Sequence, residues 1–384
     1  MNQFDDIRPY IDAEVPEVME RLLKNEDFIN SVMAFELPRM KKAAPKLASK
    51  VVKKKLVKKL GHVRTIADGQ KIISAYVDQL LEKSSTGLKV EGLNESSQTT
   101  AHLFISNHRD IVMDPALISS LMHDSVHGTV QIAIGDNLLK QDYVSDLMRL
   151  NKSFIVKRSV QGREKLVALK QLSEYIHYCI REKNNVWIAQ REGRAKNSID
   201  KTDPTILKML HIANRGSAEN YTLKDTINQL HIIPVSISYE YDPCATMKAL
   251  ELYEIDKNGR FEKNEKSDLT SISTGMHGQK GNIHLYFGKE IVAISDEPND
   301  VAKNIDTQIV SNYKLHQSNY IAYDILQKEN SDIGEALDIT ISETKRKEFS
   351  DMLNEVAPHL RPYFLKIYAN PVIHKKEFVT ETII

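Results

Sequence analysis

Cysteine is nearly absent from this chain of 384 residues: Cys179 and Cys244 are the only two, far apart and outside any metal-ligand spacing. That argues against a disulfide scaffold and a cysteine-based zinc site, and it fits a reducing compartment. A surplus of either charge is also missing, since Lys+Arg and Asp+Glu both number 52. A dedicated nucleic-acid binder usually carries excess positive charge, so no nucleic-acid partner is expected. No apolar run reaches the ~18–20 residues of a membrane-spanning helix; stretches such as Ile232–Ile237 have strand length. The N-terminus, MNQFDDIRPYIDAEV, is acidic and lacks a basic region followed by an apolar one, so no secretory signal is visible. Internal repeats and low-complexity tracts are lacking as well. The expectation is a cytoplasmic chain, at most peripheral on the inner face of the membrane.

What is present is an ordinary globular composition, 41% hydrophobic and 27% charged, at a length that suits about two domains. From Pro9 to about Lys83, apolar residues recur at helical spacing (Val15, Met19, Leu22; Ile73, Val77, Leu80). Turn and loop residues crowd positions 84–100 and mark a boundary. Beyond it, short β-rich runs (His102–Ile105, Thr129–Ile134, Phe154–Val156, Val186–Ala189, Ile232–Ser238, Ile283–Phe287) alternate with helical patterns such as Leu166–Ile180. That alternation predicts an α/β fold with a mixed, mainly parallel sheet flanked by helices, an N-terminal helical subdomain and C-terminal helices. The expected units are residues 1–95, 96–330 and 331–384. Helix is predicted over Val301–Leu326 and about Ser342–Leu360. One charge run stands out: residues 40–60 hold nine lysines and no acid. Leu47, Val51, Leu56 and Leu60 form a candidate apolar stripe beside them. The run reads either as a solvated helical face against the core or as a basic surface for anionic lipid or an acidic carrier protein.

The chemistry-bearing stretch is Ser106–Met122, SNHRDIVMDPALISSLM. A β-run ends at Asn107-His108, and Asp114-Pro115 then opens a helical pattern, Asp as a cap and Pro at the first helical position. A histidine at the C-terminal end of a strand would face an acid at the next helix start, where ligands of α/β sheets bind. A carboxylate on one imidazole nitrogen leaves the other free to accept a proton. Either Asp110 or Asp114 can be that partner. The HRD triplet lacks the glycine loop, the following Asn and the DFG of a kinase. A metal set of His102, His108, Asp110 and Asp114 has no third-ligand spacing behind it. On these residues alone, a packed or surface histidine is the commoner reading.

Three later segments alter that balance. LNKSFIVKRSV places Lys157 and Arg158 after a short strand; VWIAQREGRAK ends a strand in Glu192-Gly193-Arg194 with Lys196 behind; HIIPVSISYEYDP is a strand with Pro234 near its start. Basic residues at two strand ends suit a phosphate-bearing substrate, with Gly193 permitting close backbone approach.

The four segments, in this order, resemble the glycerophosphate acyltransferase superfamily, which contains glycerol-3-phosphate and lysophosphatidic acid acyltransferases. Its N-H-x4-D motif is matched by Asn107-His108 and Asp114, its F-I-x-R by Phe154-Ile155 with Lys157 and Arg158, its E-G-x-R turn by Glu192-Gly193-Arg194, and its proline strand by Ile233-Pro234-Val235. The phrasing is similar to that of the soluble plastid-type glycerol-3-phosphate enzymes, over about residues 95–290. Two departures are visible: five residues, not four, separate His108 from Asp114, and the second motif is one residue longer. The resemblance implies an O-acyltransferase with His108 as general base and Asp114 as its orienting carboxylate. Lys157, Arg158, Glu192, Gly193, Arg194 and Lys196 would form the substrate-binding set. It implies no metal or organic cofactor, acyl-CoA or acyl carrier protein as donor, a glycerol-phosphate acceptor, and an anionic membrane surface as a further partner. A lysophosphatidic acid acyltransferase, a hydrolase using the same dyad, and a catalytically silent lipid-binding module are the competing expectations.

Overall fold

The computed structural model describes residues 3–93, 100–123, 128–215, 221–262, 267–329 and 339–383. The two unit boundaries expected near residues 95 and 330 lie outside the described residues. Five helices come first: α1 (Val15–Lys24), α2 (Glu26–Glu36), α3 (Pro38–Ala43), α4 (Pro45–Leu60) and α5 (Ile66–Ser84). Pro38 and Pro45 stand at the first turns of α3 and α4, where a missing N–H costs nothing. The stripe that α4 buries is Ala48, Val52 and Leu56. The expected stripe is thus corrected: only Leu56 belongs to it, because the i, i+4 register runs through Ala48, and Leu47 is exposed. Lys53 and Lys55 on its outer side pair with Glu26 and Glu36 of α2.

The α/β part runs β1 (Gly87–Glu91), β2 (Leu103–Ser106), α6 (Met113–His123), β3 (Val130–Gly135), α7 (Asp142–Leu150), β4 (Ser153–Val156), α8 (Gly162–Arg181), β5 (Asn185–Ala189), α9 (Pro204–His211), α10 (Leu223–Gln229), β6 (Ile232–Tyr239), α11 (Ala245–Asn258), α12 (Ser267–His277) and β7 (Asn282–Phe287). Four helices follow: α13 (Pro298–Asn312), α14 (Gln317–Glu329), α15 (Glu343–Glu355) and α16 (Arg361–Ile383). The seven strands form one sheet in the order β1-β7-β6-β2-β5-β3-β4. Neighbours are parallel except β6 with β7. The fold is therefore α/β with a mixed, mainly parallel sheet.

Strand residues alternate between two cores. Leu103, Ile105, Val186, Ile188 and Ile232 face one core, under α8, α9, α10 and α13. Phe104, Trp187, Ile233, Val235 and Ile237 face the other, with α5 and α6. Burial on both faces is why β2 and β6 read as continuous apolar runs rather than as alternating ones. Pro234 sits in this interior strand without breaking the ladder. Its carbonyl accepts from Gly288 just past the last β6–β7 pair, Val235 with Phe287, so its backbone polar edge faces the β7 side and the β2–β6 ladder needs no N–H from it. A third core joins α1, α2, α4 and α5 to Tyr143 and Leu150 of α7. A fourth joins α11 and α14 to α15 and α16.

Cys179 and Cys244 are both buried and free, and burial pushes their thiols up, to about 12 and about 11 respectively. Among the described residues no helix is long and apolar enough to cross a membrane.

Candidate active site

β2 is an interior strand between β6 and β5, so its C-terminal end opens onto the middle of the parallel edge. Asn107 leaves it fully buried. Its carboxamide donates to the Ile237 carbonyl at 2.9 Å and to Asp200 Oδ2 at 3.0 Å, and accepts from Ile237 N at 2.8 Å. This clamp between β2 and β6 sets the chain's exit direction. His108 follows, its side chain 14% exposed, with Nδ1 2.8 Å from Asp114 Oδ2. Its ring meets the Trp187 ring edge-on at 5.7 Å between centroids.

Asp114 is the hub. Oδ2 also accepts the backbone N–H of Arg109 at 2.6 Å and of Asp110 at 2.9 Å, and Oδ1 accepts the Tyr239 hydroxyl at 2.7 Å. Burial alone would raise this carboxyl, but the bond and charge of His108, the Asp110 amide and the Tyr239 hydroxyl hold it below its ordinary value. Burial and the adjacent Asp114 and Asp110 carboxyls push the Tyr239 hydroxyl well up, so it stays a donor.

Of the two acids, Asp114 is the one bonded to His108. Asp110 Oδ1 accepts from Val112 N at 3.0 Å and Met113 N at 2.8 Å, so Asp110, not Asp114, caps the start of α6. Asp114 lies inside the first turn, which corrects the expectation that it is the cap. Short-range capping by Asp110 leaves both oxygens of Asp114 free for the loop and the histidine. Burial and the Asp114 charge raise the Asp110 carboxyl. With Nδ1–H given to Asp114, His108 Nε2 is the nitrogen left with a lone pair.

The expected cationic rim divides. Arg158 follows β4, its side chain lying across Gly135 at the end of β3, with Nη1 3.7 Å from Glu192 Oε1. The segments after β4 and β5 therefore do meet. Asp136 holds the turn at Arg158 by accepting the amides of Arg158 and Ser159 at 3.1 and 3.2 Å. Arg194 is half-buried and, among the described residues, makes no hydrogen bond or ion pair. Its turn is tied to the dyad, since Ala195 N donates to the His108 carbonyl at 3.0 Å.

Lys157 and Lys196 are each ion-paired. Lys157 pairs with Asp6 and lies 3.3 Å from Gln171 Oε1, and Lys196 pairs with Glu251 of α11. Each ammonium has a carboxylate partner, Arg158 has the longer 3.7 Å contact with Glu192, and Arg194 has none among the described residues. Gly193 adopts φ 72°, while a Cβ there would meet nothing within 4 Å. Within the protein, what the position requires is the left-handed turn.

Sequence reasoning missed Asp200 and Tyr239. Tyr239 has a faint signal, a polar-tipped residue ending an apolar strand, but only the pairing of β6 with β2 reveals its partner.

The Acyltransferase family model matches residues 87–238. No curated protein matches the chain. Among solved structures, the 1-acyl-sn-glycerophosphate (LPA) acyltransferase PlsC from Thermotoga maritima is similar over 77% of this chain and 93% of its own, at 12% identity and a TM-score of 0.36. The segment that matches the Acyltransferase model holds His108, Asp114, Arg158 and Arg194.

Proposed function

We propose that this acyltransferase moves a fatty acyl group from a thioester of acyl carrier protein or coenzyme A to a hydroxyl of glycerol-3-phosphate. The observation that carries the reading is the His108–Asp114 bond at 2.8 Å, at the strand edge where Arg158 and Glu192 meet. The acceptor oxygen attacks the thioester carbonyl while His108 Nε2 takes its proton. The tetrahedral intermediate then collapses, the C–S bond breaks, and the imidazolium returns the proton to the leaving sulfur. An ester and a free thiol result. Asp114, held ionised, steadies the imidazolium between the two transfers. Arg158 and Arg194 bind the acceptor phosphate, with Glu192 orienting Arg158.

Residues 96–330 form the acyltransferase unit in this reading, between the N-terminal helical unit 1–95 and the extension 331–384. The lysines of α4 and the lipid product support an anionic membrane surface as partner and a peripheral position on it.

The test is thiol release from one thioester, with glycerol-3-phosphate or lysophosphatidic acid supplied separately. His108→Ala should lose about 10²–10⁴ in rate while its circular dichroism stays native. Full activity in that folded variant ends the reading. Turnover with lysophosphatidic acid alone moves the acceptor hydroxyl to the second position, and fatty acid without glycerolipid means hydrolysis.

A further inference from the structure

Arg109, next to His108, points away from solvent and is 4% exposed. Its Nη2 lies 2.5 Å from Asp200 Oδ2, and its guanidinium sits 5.1 Å from the centroid of the Tyr313 ring. The Arg109 carbonyl accepts from Lys248 Nζ at 2.7 Å. Lys248 is itself 1% exposed and ion-paired with Asp242, whose amide donates to the Tyr368 hydroxyl at 3.0 Å. Two buried cations thus grip one residue, one through its side chain and one through its carbonyl. Buried charges are tolerated only when paired, and both of these are.

A cavity of about 20 Å³ lies among Arg109, Tyr239, Asp242, Tyr313 and Tyr368, room for about one water and far too small for a substrate. These groups therefore act on the loop and not on a ligand. Their chain positions are informative. The family match ends at residue 238, whereas Lys248 lies on α11, Tyr313 just after α13 and Tyr368 on α16.

We infer that Lys248, Tyr313 and Tyr368 are positioning residues: helices downstream of the family segment fix the peptide units around Arg109. The amides of Arg109 and Asp110 and the His108 imidazole then converge on Asp114 together. The inference rests on the acyl-transfer reading above. It gives the C-terminal helices a part in the reaction rather than in folding alone.

The experiment uses the full chain, the thiol-release assay and four variants: Lys248→Met, Tyr313→Leu, Tyr313→Phe and His108→Ala. Misplacing a catalytic group should cost about ten- to a hundredfold in kcat. That loss is expected in Lys248→Met and Tyr313→Leu, with KM for both substrates within about twofold of the parent. Tyr313→Phe keeps the ring under the guanidinium and should recover most of the rate. Parental kcat in Tyr313→Leu, or a loss that merely follows the unfolded fraction in circular dichroism, overturns the inference. If Lys248→Met does not fold, the Tyr313 pair decides alone. An active His108→Ala overturns the acyl-transfer reading itself. An inactive His108→Ala beside a fully active Tyr313→Leu overturns only the positioning role.

Discussion

Arg158 and Arg194 come from different strand ends, and each carries a distinct expectation. A hydrogen bond to a charged group contributes ~1.5–3 kcal/mol. Arg194→Ala should therefore raise the acceptor KM about tenfold to a hundredfold with little change in the thioester KM. Arg158→Ala should do the same, whereas Lys157→Ala, which loses a pair with Asp6, should leave acceptor kinetics alone. Steady-state kinetics at varied glycerol-3-phosphate check all three; an unaltered acceptor KM in Arg194→Ala removes that residue from the site. At this scale the sequence was informative wherever partners are close in the chain. His108 and Asp114 are six positions apart, close enough for a single loop to join them. It was silent on Asp200, which meets Arg109 across 91 positions, and on Tyr239, which meets Asp114 across 125. It was silent too on the partner of Lys157, since Asp6 belongs to the far N-terminus.

At the scale of elements, Gly275 on α12 carries a clear demand. A Cβ there would overlap Asp110 Oδ2, the carboxyl whose other oxygen caps α6. Gly275→Ala gains up to about 1 kcal/mol of helix propensity, but forcing the contact costs about 1–3 kcal/mol. A net loss of stability is expected, together with a fall in kcat as the cap shifts. Thermal unfolding and the thiol-release assay read the two effects; a more stable and fully active variant would show that α12 does not press on the loop. The strands whose burial is two-sided were all legible, because apolar runs bounded by turns have few other readings. β1 was not: GLKVE lies in a stretch dense with turn residues, and its side chains are largely half-exposed. The helix expected over Val301–Leu326 is two, α13 and α14, parted at residues 313–316. That break carries Tyr313 to Arg109, a tertiary demand invisible in periodicity.

For the molecule as a whole, the class of fold followed from alternating strands and helices, but the strand order did not, since pairing partners lie up to 195 positions apart in the β1–β7 ladder. One buried acid links the long-range assembly to pH. Asp306 of α13 accepts the Thr202 amide at 2.8 Å and the Thr202 hydroxyl at 2.6 Å, yet burial pushes its carboxyl up to about 6. A folded pKa above the unfolded one means stability that is fully present below about pH 4 and is lost as pH rises through about 6. The ionised form then costs up to about 3 kcal/mol. Asp306→Asn keeps an acceptor for both Thr202 bonds and removes the charge. Its unfolding midpoint should match the parent near pH 4 and exceed it at pH 7.5; an equal difference at both pH values would show that Asp306 is not the linked group.

The two buried cysteines bear on how such experiments can be read. A thiol reacts as its thiolate, and burial keeps both sulfurs protonated and out of reach while the chain is folded. A colorimetric thiol reagent therefore sees only the sulfur freed from the donor. Two further equivalents per chain would enter the signal when the fold opens, so one trace distinguishes a slow variant from a collapsing one.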